Sequence, residues 1–203
     1  MEEKINFIRK IKSDPNTYLR VQQRIAEFES FKDKPNSAWF SELCFCLMTA
    51  NASARGGIAA QKAVREEGFL NLSQEELAKK LVEVKYRFPF VRSKYIVEAR
   101  RHSNIKEIIQ KMPSREAREW LVKNIKGLGM KEASHFLRNV GRKDLAILDK
   151  HIIRSLGLEV KPLKKETYEE IEKKLFEIGK ITNTDMAELD LILWYGQTGE
   201  ILK

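Results

Sequence analysis

The segment Lys126-Gly127-Leu128-Gly129 joins two stretches whose apolar residues recur at helical spacing. Such a linker suits anion binding. The glycines permit a tight reversal, and the backbone N–H groups that open the second helix lie at its positive end. Leu128 is placed to plug the space between the two helices. Lys131 stands in the first turn of the second helix, and a carboxylate, Asp149, follows in Leu145-Ala-Ile-Leu-Asp149. Each has a plain alternative. Lys131 is one lysine among many, and Asp149 is suited to capping a helix that starts near Lys150.

Other chemistries find little support. Cys44 and Cys46 are one residue apart on an apolar segment, which fits neither a disulfide staple nor a zinc half-site and points to a reducing compartment. Three histidines, at 102, 135 and 151, do not make a His-rich metal site. No apolar run reaches membrane-spanning length, and the N-terminus has no signal-peptide core. The charge is uneven. The 203 residues carry a net +9, but Lys85 to Arg154 holds 18 Lys and Arg against 7 Asp and Glu, a net +11, so the rest carries −2. One basic stretch on a nearly neutral protein predicts a polyanion surface. The plain alternative is the Lys-rich surface common in heat-stable proteins.

The elements that must position these groups read as helices throughout. Ile5, Ile8 and Ile11 share one face, and so do Tyr18, Val21, Ile25 and Phe28. Asn36 or Ser37 is placed to cap a helix carrying Trp39, Phe40, Leu43, Phe45, Leu47 and Met48. That helix is apolar nearly all round and is therefore expected at a core centre. Ser73 with Glu76 predicts a capping box ahead of Leu77, Leu81 and Val84. Phe88-Pro89-Phe90 interrupts, and one helix is expected from about Ser93 to Lys111. Ser114 to Ile125 and Met130 to Val140 flank the glycine linker, with Gly141 as a C-cap. Leu148–Leu156, Lys164–Ile178 and Thr184–Tyr195 follow. No strand alternation is evident, so the expectation is an all-α protein of about ten helices. Ile201 and Leu202 predict that the tail folds back onto the body.

The hairpin and the residues after it resemble the helix-hairpin-helix DNA glycosylase superfamily. The pairing of Lys131 with Asp149 is similar to that of its 8-oxoguanine glycosylase/lyases, and above all to the short second subfamily found mainly in archaea. The resemblance covers nearly the whole chain. It implies an all-α, DNA-glycosylase-like fold in which residues 1–203 form one unit of two helical subdomains. The active-site cleft would lie between the subdomains and the hairpin would occupy residues 114–141. It implies that Lys126, Gly127 and Gly129 grip the phosphate backbone, with Lys131 and Asp149 catalytic. Met48-Thr-Ala-Asn-Ala-Ser-Ala-Arg55 resembles the loop that places an asparagine, here Asn51, in the hole left by the extruded base. Phe90-Val-Arg-Ser-Lys-Tyr95 resembles the stretch whose arginine, here Arg92, contacts the orphaned cytosine. Trp194-Tyr-Gly-Gln-Thr-Gly-Glu-Ile-Leu-Lys203 resembles the subfamily's C-terminus. Trp194 would stack on the damaged base, and Lys203 would help distinguish it from guanine.

These residue types suit the implied reaction. A carboxylate near C1′ stabilises the positive charge that builds on the sugar as the glycosidic bond breaks. A neutral amine can then form a Schiff base there. A lysine of ordinary pKa, about 10.4, is almost wholly protonated near neutrality. The helix dipole and the neighbouring Lys123, Lys126 and Arg154 are expected to favour the neutral amine. The expected partner is double-stranded DNA containing 8-oxoguanine, bound by a cytoplasmic, prokaryotic-type monomer that touches no membrane. No redox or metal cofactor is needed, although the superfamily implies a monovalent cation held by hairpin carbonyls.

Lys126 replaces the usual hairpin proline, and no glycine-proline pair directly precedes Asp149. No four-cysteine iron–sulfur signature follows, which sets the chain apart from the endonuclease III and adenine glycosylase branches. Two alternatives stay open on sequence alone: a superfamily member acting on another damaged base, and a non-catalytic helix-hairpin-helix DNA-binding module. A helical protein-interaction domain with an incidental basic face is a third.

Overall fold

A computed structural model describes residues 2–203; Met1, which opens the first amphipathic stretch, lies outside them. The α-helices are α1 (Glu2–Ser13), α2 (Pro15–Glu29), α3 (Asn36–Thr49), α4 (Ala54–Asn71), α5 (Gln74–Glu83) and α6 (Pro89–Ala99). They continue with α7 (Ile105–Ile109), α8 (Ser114–Asn124), α9 (Met130–Asn139), α10 (Lys150–Ser155), α11 (Lys165–Thr182) and α12 (Met186–Thr198). Single 3₁₀ turns occupy Ser30–Asp33 and Arg100–His102, and among the described residues there is no strand. The all-α expectation holds. The chain divides into two compact units, one formed by the residues up to Ser30 with Gly141–Lys203, the other by Phe31–Val140.

In the Phe31–Val140 unit, α3 is the central helix, buried at every position from Ala38 to Thr49. It packs against α4, α6, α7 and α9. Cys44 and Cys46 lie within it, fully buried and outside any disulfide, and burial pushes the Cys44 thiol up. Burying Glu42 on the same helix requires partners, because a lone buried charge is costly. Asn139 Nδ2 donates to Glu42 Oε1 at 2.6 Å, and Gln61 Nε2 donates to Oε2 at 3.2 Å. These bonds join α3 to α4 and to the end of α9. The capping box on α5 forms as expected, with Ser73 Oγ accepting from Glu76 N–H and Glu76 Oε2 accepting from Ser73 N–H.

Two local expectations fail in this unit. The helix read from Ser93 to Lys111 breaks after Ala99. There the Arg100 guanidinium turns to the carbonyls of Phe69 and Leu72, at the end of α4. Asn36 does not cap α3. Its Oδ1 accepts from Lys106 N–H and its amide donates to Glu107, so it orders the start of α7 instead.

In the other unit α12 is buried from Met186 to Leu193 and packs against α1, α2, α10 and α11. Gly196 lets it approach α1 closely, since a Cβ there would lie 2.7 Å from Phe7 Cζ. The Lys12 ammonium donates to the carbonyls of Thr182 and Asn183, the cationic partner that the negative end of α11 favours. Ile201 is 7% exposed, so the tail does fold back within this unit.

Candidate active site

The hairpin forms as its glycines require. Gly127 adopts φ +95°, a conformation that L side chains rarely take. Leu128 is buried in the role expected of it. Gly129 is the residue before α9, and its N–H donates to Glu132 Oε2 at 3.2 Å. The other oxygen, Oε1, lies 2.9 Å from Lys131 Nζ. Lys131 therefore has a carboxylate partner beside it, which a count of neighbouring cations overlooks. Its side chain is 25% exposed. Lys126 is exposed and reaches both Glu98, at 3.5 Å, and the face of Tyr95. His135, one turn beyond Lys131, is a buried core residue set edge-on to Phe45.

Asn51 lies just past the end of α3 with φ +57°. Asparagine tolerates this left-handed conformation better than most residues, so its type suits the turn as well as any contact to DNA. Asn51 is exposed. Arg92 is only 7% exposed, with Nη2 donating to the Ala50 carbonyl at 2.8 Å. Its guanidinium also lies over the rings of Phe88 and Tyr95. Tyr86 Oη donates to the Met48 carbonyl at 2.6 Å, so the carbonyls of Met48 and Ala50 beside Asn51 both have side-chain donors. Arg87 is an exposed cation at this turn, and its Nη1 donates to the Asn51 carbonyl at 3.3 Å while its guanidinium covers Phe88. Sequence reasoning passed over Arg87, and also Phe90, which is 71% exposed. The signal was present in Arg87-Phe88-Pro89, where a cation sits next to the break that starts α6.

Asp149 caps α10. Oδ1 accepts from the N–H groups of His151 and Ile152, both at 2.8 Å, which leaves Oδ2 outside the cap. The capping reading therefore holds, and it leaves one oxygen for chemistry. The His151 ring stands edge-on to Trp194, with centroids 5.7 Å apart, so the structure brings Asp149, His151 and Trp194 together. Trp194 and Lys203 are both half-buried. Lys131 and Asp149 belong to different units of the chain. Among the described residues no group of three His, Cys, Asp or Glu could hold a metal ion, and no helix is long and apolar enough to cross a membrane.

A family model for 8-oxoguanine DNA glycosylase matches residues 21–184, most of the chain and the whole hairpin. The chain belongs to the 8-oxoguanine DNA glycosylase family. The glycosylase is 49% identical over 206 residues to the 8-oxoguanine DNA glycosylase/AP lyase of Methanocaldococcus jannaschii, covering 97% of this chain and 99% of that one. A crystal structure of the Methanocaldococcus jannaschii 8-oxoguanine glycosylase/lyase in complex with a 15mer DNA containing 8-oxoguanine superimposes with a TM-score of 0.95. The identity is 48%, and 98% of this chain and 99% of that one are covered. The 8-oxoguanine DNA glycosylase of Thermotoga maritima gives a TM-score of 0.91 at 39% identity, over 100% of this chain and 99% of that one.

One substitution tests how the glycosylase builds its hairpin. A Cβ on Gly127 would lie 2.5 Å from Tyr95 Cδ2. Gly127→Ala is therefore expected to cost about 2–4 kcal/mol, combining backbone strain with the displacement of a packed ring. Thermal unfolding measures this. Affinity for undamaged duplex should fall as well, because the displaced Tyr95 also carries Lys126. Unchanged melting would show that the hairpin relaxes without a penalty.

Proposed function

We propose that this chain excises 8-oxoguanine from duplex DNA and then cuts the abasic strand, with Lys131 as nucleophile and Asp149 as the carboxylate that supports it. The target base must leave the stack, since C1′ is inaccessible within it. The neutral Lys131 amine bonds to C1′, and the glycosidic electron pair departs with the base, which takes up a proton. Asp149 Oδ2 stabilises the positive charge that builds on the sugar as that bond lengthens. Opening of the sugar ring gives a Schiff base. Loss of the C2′ proton then expels the 3′ phosphate by β-elimination, and water hydrolyses the imine to free Lys131.

Around this centre, Lys126, Gly127 and Gly129 hold the phosphate backbone, and Trp194 and Lys203 form the base pocket. Asn51 enters the space left by the flipped nucleotide. Arg92 contacts the orphaned cytosine, and its Nη2 bond to the Ala50 carbonyl ties it to the Asn51 turn. The exposed Arg87, at the same turn, is a second arginine for the opposite strand. A monovalent cation at the hairpin carbonyls belongs to the proposal. The Ile125 carbonyl accepts the Leu128 N–H at 3.2 Å and keeps a second lone pair for a hard ion. No chemical step depends on that ion. Relatives in Methanocaldococcus jannaschii and Thermotoga maritima support a prokaryotic-type cell, in whose cytoplasm the chromosome is repaired.

The observation that carries this reading is full-length similarity to a glycosylase/lyase whose crystal structure contains DNA with 8-oxoguanine. Borohydride trapping on duplexes bearing a panel of damaged bases, each opposite all four bases, tests it. Wild-type protein should trap best on 8-oxoguanine, and Arg87→Ala should flatten the preference for the opposite base. Stronger trapping on another lesion would overturn the substrate. An unaltered preference in Arg87→Ala would return the strand contact to another residue.

A further inference from the structure

The residues leading to Asp149 pose a physical problem. Leu145, Ala146, Ile147 and Leu148 are all at most 6% exposed, yet they are neither helical nor paired with a strand. Buried backbone groups outside regular structure need other partners. Here α11 supplies them. Tyr168 Oη donates to the Ala146 carbonyl at 2.7 Å and accepts from the Leu148 N–H at 3.3 Å. Glu172, one turn along the same helix, accepts the Ala146 N–H at 2.9 Å through Oε1. Both side chains are buried, at 3% and 1% exposure. Upstream, the Lys143 carbonyl accepts the Met186 N–H at 3.0 Å. Two side chains of one helix thus do the work of a partner strand for the segment that ends in Asp149.

We propose that Tyr168 and Glu172 are positioning residues for Asp149, setting the height and direction from which its carboxylate is presented to the sugar. This rests on the reading of Asp149 as the catalytic carboxylate. The pair is too buried to meet DNA directly and bonds the backbone of residues 146–148. A displacement of about 1 Å in a catalytic group can cost on the order of 100-fold in rate. Tyr168→Phe keeps the ring and removes both hydroxyl bonds, so the Asp149 carboxylate loses its fixed setting while the packing remains.

The experiment is single-turnover excision of 8-oxoguanine by Tyr168→Phe, Asp149→Asn and the double variant, with duplex affinity and thermal melting measured alongside. Tyr168→Phe should excise roughly 10- to 100-fold more slowly while binding duplex within about 2-fold of wild type. In the Asp149→Asn background the same change should have no further effect on rate, because a group that acts through Asp149 is silent once Asp149 is disabled. Glu172→Gln, which keeps an acceptor for the Ala146 N–H, should lose less than Glu172→Leu. A Tyr168→Phe rate equal to wild type would overturn the proposal, as would an equal slowing in both backgrounds. If Asp149→Asn alone excises at the wild-type rate, the catalytic reading of Asp149 fails instead. The two failures are therefore told apart. Should Tyr168→Phe melt too low to assay, the Glu172→Gln and Glu172→Leu pair carries the same test.

Discussion

Lys131→Gln is expected to abolish the borohydride-trapped complex with 8-oxoguanine duplex and to slow strand cleavage by on the order of 1,000-fold or more, while duplex affinity stays close to wild type. Only an amine can form the imine that borohydride reduces, so the loss should be qualitative. The fold should tolerate the change. Glutamine is nearly as good a helix former as lysine. The ion pair between Lys131 and Glu132 is partly exposed, so losing it should cost at most about 1 kcal/mol. The pair also says something about the chemistry. On the proposed reading Lys131 sheds a proton before attack, and Glu132 Oε1 lies 2.9 Å from its Nζ. Trapping by Lys131→Gln at the wild-type level would mean that another amine is the nucleophile.

The parts of this protein that were legible in its sequence are those where the local signal and the tertiary demand coincide. The α3 run from Trp39 to Met48 is apolar nearly all round and proves buried at every position. Ser73 and Glu76 are three residues apart and close the capping box that this spacing predicts. Gly127 and Leu128 meet a positive φ and a buried plug, as a tight hairpin between two helices requires. The misses have a common cause, which is that distant residues took over a local group. Asn36 looks like a cap for α3, but Lys106, far away in the chain, claims its oxygen. Arg100 ends α6 because the carbonyls at the end of α4 need a donor. Arg87 went unread beside Arg92 because type does not separate two arginines in one basic stretch. Only burial separates the one held by Ala50 from the one left at the surface. Glu132 was hidden for a different reason. It reads as a helix-start acid, and its second oxygen matters only because Lys131 is adjacent.

Asp149→Asn is the complementary result, because it separates capping from chemistry at one residue. Asparagine caps helices about as well as aspartate, so the bonds from His151 and Ile152 to Oδ1 should survive and stability should change by no more than about 1 kcal/mol. What the substitution removes is the negative charge on the carboxylate. Charge stabilisation of this kind in a preorganised site is worth on the order of 100- to 1,000-fold in rate, so excision of 8-oxoguanine should slow by that factor in single-turnover assays. Duplex binding should hold or tighten, since the change removes one charge that repels phosphate. The comparison with Asp149→Ala sharpens the point. Alanine removes the cap as well, so it should lose activity like asparagine and, in addition, melt earlier by about 1 kcal/mol of helix stability. If asparagine restores wild-type excision and alanine does not, Asp149 serves only to start α10 and the charge that stabilises the sugar comes from elsewhere. If both are slow and only alanine melts early, one oxygen holds the helix while the other serves the reaction. Such a division of labour would let a catalytic carboxylate sit at a helix N-cap without being consumed by it.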